Sequence, residues 1–392
     1  MLVDLVNDTE YIDMKLYNVI GTIKGALSEC VVLGNHHDPW SAGCVDPDTG
    51  SSAMNEVVNR KGSRSRLGTS QNHVPQNHVR TQLCISIDVY PLTVRSILAS
   101  WDGEEYGLLG TTAWATQNSD HLKRNCIAYI NVDESTNGGD ILGPVGSPLL
   151  AETLYEAAKV VPSPLGEEAE VDNGWCLLDI GSDFTVSQHH LGISSTDLAF
   201  NAGPRHAVYQ YHTKYDSTLW MERFGDPGYQ KHKAMAQLWG LVAFRLASNA
   251  VLALSATKYA QRLAEGFASM NAPAAVDASE LQRALARFHE QASHLDGFRA
   301  GLSEREPTDE EVWAVNSRYV AIERGFLHFA GLSQRPWYKH LAFGPGLWEG
   351  YGGVVFPAIA DAMFLKDVAV IQAAVDLTTA GVNRVTEFIR LP

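Results

Sequence analysis

A chain of 392 residues, 45% of them hydrophobic, is long enough to bury a large core and to divide into two or three domains. Its formal net charge of -15 sets the surface against nucleic acid and anionic membrane, both of which repel an acidic protein. Five cysteines, Cys30, Cys44, Cys84, Cys126 and Cys176, form no C-x-x-C pair, so there is neither a zinc-finger spacing nor a disulfide framework.

The N-terminal segment is too polar for a signal peptide or a membrane span. Tyr17 to Gly25 and Glu29 to Gly34 read as two strands, the second emptying into the polar loop Asn35-His36-His37-Asp38-Pro39-Trp40. A loop rich in Gly, Asp and Pro follows, then a short helix over Ser51 to Asn59. Arg60 to Tyr90 is polar and basic, nearly repeats Gln71-Asn72-His73-Val74 as Gln76-Asn77-His78-Val79, and reads as an anomalous insertion without helical or strand period. Its histidines are those of a solvated tract rather than of a metal site.

Regular alternation resumes with a strand at Ile97 to Trp101, the turn Asp102-Gly103-Glu104-Glu105-Tyr106-Gly107, and a helix at Leu108 to Thr116. Cys126 to Val132 reads as a strand ending in Asp133-Glu134, Pro148 to Val161 as a helix, and Gly192 to Phe200 as a strand. Phe184 to His190 is helical in pattern, with His189 and His190 read as surface residues. A loop through Tyr211 and His212 leads to a helix at His232 to Leu252, and the apolar stretch Leu238 to Ala256, interrupted by Arg245 and Asn249, reads as packed core rather than a span. The pattern predicts an α/β unit over residues 1–255, with a mixed central sheet flanked by helices, and an all-α unit over residues 256–392. The helices of the second unit fall at Tyr259 to Met270, Ala278 to Leu295, Asp309 to Phe329 and Asp367 to Leu391.

His36, Asp38, Asp46, Glu104, Glu105, Asp133 and His212 all stand at or beyond predicted strand ends, where open α/β sheets place their sites. So many charges on one sheet edge call for a divalent cation. Imidazole with carboxylate and no thiolate suits Zn²⁺, and less exclusively Mn²⁺ or Co²⁺. A bridging carboxylate would allow two ions to share and acidify a water, and one carboxylate must stay unligated to move protons. Other chemistries lack their motifs: there is no H-E-x-x-H, no G-x-S-x-G and no P-loop.

The segments YNVIGTIKG, VVLGNHHDPWSAGCVDPDTGSS, ASWDGEEYGLLGTTAWA, IAYINVDES, GSDF and YQYHTKYDS, with RPWYKH and FPAIADA in the helical part, resemble one family. It is the zinc metallopeptidases with an aminopeptidase-like fold, in the glutamate carboxypeptidase II and transferrin receptor branch. The resemblance implies that His36 and Asp133 bind one zinc, that Glu105 and His212 bind the other, and that Asp46 bridges two Zn²⁺ ions. It further implies that Glu104 is the general base, that Asp38 fixes the His36 imidazole, and that Tyr211, with Tyr351 beside it, meets the substrate and its oxyanion.

The same resemblance implies a peptide substrate, a homodimer through the helical domain, and a membrane-anchored extracytoplasmic or vacuolar setting. The anchor and the inserted apical domain of full-length relatives would be missing from this N-terminally truncated member. Glutamate-selective members carry arginines where this chain has Asp197 and Ala199, and Lys-Tyr where it has Gly350-Tyr351, so an aminopeptidase is as well supported as a glutamate carboxypeptidase. The transferrin-receptor branch keeps the fold without metals and gives the rival reading of a non-catalytic receptor; the presence of all five ligands and the base favours the enzyme.

Overall fold

The computed structural model describes residues 6, 8–10, 12–61, 83–162, 164, 181–348 and 351–391. Strands β1 (Val19–Gly25), β2 (Cys30–His36), β3 (Leu83–Leu92), β4 (Arg95–Trp101), β5 (Cys126–Asn131), β7 (Val145–Gly146) and β8 (Ser194–Asp197) form one sheet in the order β3-β1-β4-β2-β5-β8-β7. The central strands β4, β2, β5 and β8 are parallel neighbours, whereas β1 runs against β4 and β7 against β8. β6 (Ile141–Leu142) pairs with β9 (Phe200–Asn201) beyond that edge.

β2 is buried along its whole length, which is why it reads as an unbroken apolar run. Its side chains alternate between two cores. Val31 and Leu33 join the larger cluster, which continues through Trp239 into Phe288 and Val385 of the helical part, while Cys30 and Val32 face Ile97, Trp101 and Phe184 on the other side. Gly34 keeps a gap in this strand. A Cβ there would lie 1.7 Å from the Tyr129 hydroxyl, which instead accepts from the Trp101 indole at 2.8 Å and donates to Asn131 at 3.0 Å.

The connecting helices are α1 (Asp48–Lys61), α2 (Leu109–Gln117), α3 (Ser119–Asn125), α4 (Ala151–Ala158), the short α5 (Thr218–Trp220) and α6 (Gln230–Ser248). The helical part holds α7 (Ala256–Ala268), α8 (Ser279–Leu302), α9 (Asp309–Gly325), α10 (Pro357–Leu365) and α11 (Val368–Ile389), with α8 packed on α7 and α11. A capping box between Thr308 and Glu311 starts α9, and Asp367 caps α11 through the N–H groups of Ala369 and Val370.

Several expectations need correction. The segment expected to lack strand period over residues 60–90 ends in β3, whose backbone pairs in parallel with β1 from Val19↔Leu83 to Ile23↔Ile87; the alternation Ile85-Ser86-Ile87-Asp88-Val89 was hidden by the polar tract before it. Residues 62–82, with both Gln-Asn-His-Val repeats, lie outside the described residues. His189 is fully buried rather than at the surface, because the helical turn Val186–His190 packs under the 330s loop, where Lys339 N–H donates to the His189 carbonyl at 2.9 Å. The apolar stretch Leu238 to Ala256 is not one helix: α6 ends at Ser248, a non-helical segment follows, and α7 begins only at Ala256. The helical part also contains a small hairpin, β10 (Phe343–Pro345) with β11 (Gly353–Val355), that helical periodicity did not announce. Among the described residues, no helix is long and apolar enough to cross a membrane.

Candidate metal centre

His36 ends β2, the loops leaving the carboxyl ends of β4 and β5 carry Glu104 with Glu105 and Asp133, and two further loops bring in Asp46 and His212. The donor atoms of His36, Asp46 and Asp133 lie within 4.8 Å of one another, as do those of Asp46, Glu105 and His212. Asp46 is common to both sets. His36 Nε2 is 2.9 Å from Asp133 Oδ1 and 3.1 Å from Asp46 Oδ1, and His212 Nε2 is 3.2 Å from Asp46 Oδ2 and 3.1 Å from Glu105 Oε2.

The nitrogen of His36 is aligned to Asp133 only, so Asp46 Oδ1 is buried without a hydrogen-bond partner. An orphaned carboxylate oxygen facing two imidazoles and two other carboxylates fits a bound cation, and the N/O donor set without thiolate fits zinc. The five donors expected from the sequence are thus brought together, and Glu104, Tyr211 and Tyr351 line the same cavity of about 640 Å³. Gly350 lies outside the described residues.

Burial and mutual repulsion set the electrostatics of the cluster. Burial, then the Asp133 and Asp183 charges, hold the Glu104 carboxyl far above the usual carboxylate range. Burial and the Asp46 charge push Glu105 up to about 7. Burial raises Asp46, and burial with Asp133, Asp46 and Asp197 raises Glu134. His36 moves the opposite way to an ordinary buried imidazole: burial opposes its charge, but Asp133, Asp38 and Asp46 raise it well above the usual range. Bound cations would reverse the carboxylate shifts, since a nearby positive charge favours the ionised form.

Asp38 lies on the Nδ1 side of the His36 ring, its carboxylate Oδ1 3.5 Å from that nitrogen. Its main-chain carbonyl is 3.1 Å from His36 Nδ1, and its carboxylate accepts the N–H groups of Glu104 and Glu105. The Glu104-Glu105 turn is bounded by Gly103 and Gly107, both at positive φ, a backbone region glycine enters freely. Glu105 is further fixed by the N–H of Trp40, 2.9 Å from Oε1. His212 lies at φ 54 and its ring is stacked between Tyr211, 3.7 Å between centroids, and Trp40 at 5.8 Å. Tyr211 OH meets Tyr351 OH at 3.1 Å, so the helical part contributes a side chain to the mouth of the cavity. His37 turns away and pairs with Ser100 Oγ at 2.8 Å.

Sequence reasoning missed three buried polar groups around the cluster. Asn35, fully buried, donates to the carbonyls of Val132 at 3.0 Å and Asp133 at 3.3 Å and accepts from Ser51, tying β2 to the loops on either side. Asp216 accepts the N–H groups of Val45 at 2.7 Å and Asp46 at 3.1 Å and the hydroxyl of Tyr209, joining the Asp46 and His212 loops. Asp183 is fully buried with both carboxylate oxygens lacking hydrogen-bond partners, and burial lifts its carboxyl well above the usual range. Each stands inside a segment whose composition marks a site loop, but only the fold says what it touches.

A model of peptidase family M28 matches residues 18–223, and a model of the transferrin receptor-like dimerisation domain matches residues 276–390. The chain is 32% identical over 373 residues to a probable glutamate carboxypeptidase, LAMP1, of Arabidopsis thaliana, covering 90% of this chain and 50% of that protein. It is 28% identical over 358 residues to aminopeptidase NAALADL1 of Mus musculus, covering 84% of this chain and 45% of that one. A solved zinc aminopeptidase from Bacillus subtilis superposes with a TM-score of 0.43 at 18% identity, over 59% of this chain and 50% of that one. The chain spans about half the length of the curated relatives it matches.

Proposed function

The chain belongs to peptidase family M28, and from that premise we propose that it is a dinuclear zinc exopeptidase. Its catalytic unit is residues 1–255 and its helical unit, residues 256–392, serves a homodimer. The observation that carries the reading is the pair of donor triads sharing Asp46, with Glu104 left over beside them. His36 and Asp133 would hold one ion, Glu105 and His212 the other, and Asp46 both. Bound there, the ions would polarise a peptide carbonyl and acidify water.

Glu104 takes a proton from the attacking water onto its carboxylate and delivers it to the leaving nitrogen. Tyr211, near the cluster, donates its hydroxyl to the developing oxyanion, and Tyr351 holds that hydroxyl at the cavity mouth. Asp38 keeps the His36 ring turned so that Nε2 faces the cluster. The transferrin receptor-like match over residues 276–390 supports the dimer. An extracytoplasmic or vacuolar setting is supported only by the name of a Saccharomyces cerevisiae relative, vacuolar protein sorting-associated protein 70, 25% identical.

The rival is a non-catalytic member of the fold. Metal analysis with a Glu104→Gln variant separates them: the reading requires about two zinc ions per chain in both proteins and a loss of peptide hydrolysis of about 10²-fold or more in the variant. Absent zinc, or equal turnover in wild type and variant, overturns it.

A further inference from the structure

We propose that Trp40 is a positioning residue for one of the two metal positions: its ring and main chain clamp the ligand pair His212 and Glu105, so that removing the ring weakens that ion and spares the one at His36 and Asp133. This rests on the dinuclear exopeptidase reading and gives its two positions unequal support.

The two histidines are held in different ways. His36 is 1% exposed, and its Nδ1 lies 3.1 Å from the Asp38 carbonyl, the kind of bond that fixes the ring of a metal-binding histidine. His212 has no equivalent. Its side chain is 29% exposed, its backbone lies at φ 54, where a residue with a Cβ is strained, and its Nδ1 shares no hydrogen bond with a described residue. Its ring is held by stacking instead, on Tyr211 at 3.7 Å and on Trp40 at 5.8 Å with 24° between the planes. Tyr211 belongs to the same loop as His212 and cannot fix that loop to the sheet. Trp40, on the segment leaving β2, can.

Trp40 reaches the other ligand as well. Its N–H donates to Glu105 Oε1 at 2.9 Å, and its ring lies 5.6 Å from that of Tyr106, the residue after Glu105. The neighbouring Ser41 Oγ donates to the carbonyl of Thr213, the residue after His212, at 2.6 Å. Two consecutive residues thus bind the loops of both ligands, while Asn35 and Asp38 brace the side of His36 and Asp133. An imidazole that gives its Nε2 lone pair to a cation becomes electron-poor, and the face of an indole attracts positive charge, so the Trp40 stack strengthens as the ion is taken up. At 52% exposure, Trp40 contributes more to that ring than to the core.

The test is zinc binding to the metal-stripped full chain, with bound metal counted by atomic absorption after equilibrium dialysis in zinc buffers. Wild type is expected to take up about two ions per chain, and Trp40→Ala to weaken one binding step about 10-fold while leaving the other unchanged. Trp40→Phe keeps a ring and is expected to bring that step back to within about 3-fold of wild type. In a His212→Ala background, which retains only the other ion, adding Trp40→Ala is expected to change affinity by less than about 2-fold. Every variant keeps the N–H at position 40, so the series reads the ring alone. Should the alanine variant fail to fold by circular dichroism, Trp40→Leu decides in its place. With two ions on the wild type, undiminished binding by folded variants, equal weakening of both steps, or the same loss in the His212→Ala background overturns the positioning role alone. A wild type that binds fewer than two ions defeats the dinuclear reading, and this inference with it.

Discussion

Asp38 accepts the backbone N–H of Glu104 at 3.1 Å, so the residue beside the His36 ring also shapes the turn that bears the proposed general base. Its second carboxylate oxygen takes the N–H of Glu105 at 3.2 Å, and Oδ1 lies 3.5 Å from His36 Nδ1. One side chain thus ties β2 to the turn after β4. Burial opposes its ionisation, but His36 and the two N–H groups keep the carboxyl below its ordinary range.

Asp38→Ala is expected to weaken zinc binding about 10- to 100-fold, the usual cost of losing the group that supports a histidine ligand, and to lower kcat as well because the turn of Glu104 loses its acceptor. Competition with a zinc chelator reads the first and steady-state kinetics at saturating zinc the second. Affinity that falls while kcat at full metal loading is unchanged would confine Asp38 to His36.

Metal removal should make stability fall as pH rises. Glu105, with a pKa raised to about 7, and Glu104, raised further, bind protons in the folded metal-free chain where the unfolded chain has released them. With more protons on the folded state, unfolding free energy declines as pH climbs from about 4.5 through 7. His36, raised well above its ordinary value, adds stability that is fully present below about 6.5 and is lost at higher pH. Chelated protein is therefore expected to melt at a lower temperature at pH 8 than at pH 5.5, and zinc to restore it most at pH 8. Thermal denaturation at both pH values checks this; a chelated protein that stabilises with rising pH contradicts the assigned cluster.

The site was legible where chemistry concentrates at strand ends. His36, Glu104 and Asp133 follow strands that read clearly as apolar runs, so their convergence on one sheet edge follows from the parallel order of β4, β2 and β5. Asp46 and His212 sit in irregular loops, and nothing local places them; family resemblance pointed to them, and their approach depends on Asp216 bridging the two loops. β3 and the β10–β11 hairpin were not legible, since one adjoins a polar tract and the other is two three-residue strands among helices. His189 was misread because its burial depends on a loop almost 150 residues away in sequence.

Glu323 links the two halves of the protein and should be costly to remove. Its buried carboxylate accepts from Tyr259 OH and His340 Nε2, each at 2.8 Å, and from Ser147 Oγ beside β7. Glu323→Ala strands three polar groups in a region with no water access and is expected to cost about 3–5 kcal/mol. Glu323→Gln, which keeps acceptor capacity, should cost less. Urea denaturation of both variants measures the difference, and an alanine variant within about 1 kcal/mol of wild type would mean the network relaxes onto other partners.

Tyr211 and Tyr351 offer the sharpest division of labour across that junction. Burial and the Tyr351 hydroxyl hold the Tyr211 phenol well above its ordinary range, so it stays a hydrogen-bond donor at any working pH. Tyr211→Phe removes the hydroxyl proposed to meet the oxyanion and is expected to lower kcat about 10²-fold with little change in KM. Tyr351 is 60% exposed and acts on Tyr211 at a distance of 3.1 Å, so Tyr351→Phe should cost about 10-fold or less. If Tyr351 works through Tyr211, the double variant is no worse than Tyr211→Phe, and a double-mutant cycle on kcat gives a coupling of about 1 kcal/mol. Full additivity would instead assign Tyr351 its own contact with substrate.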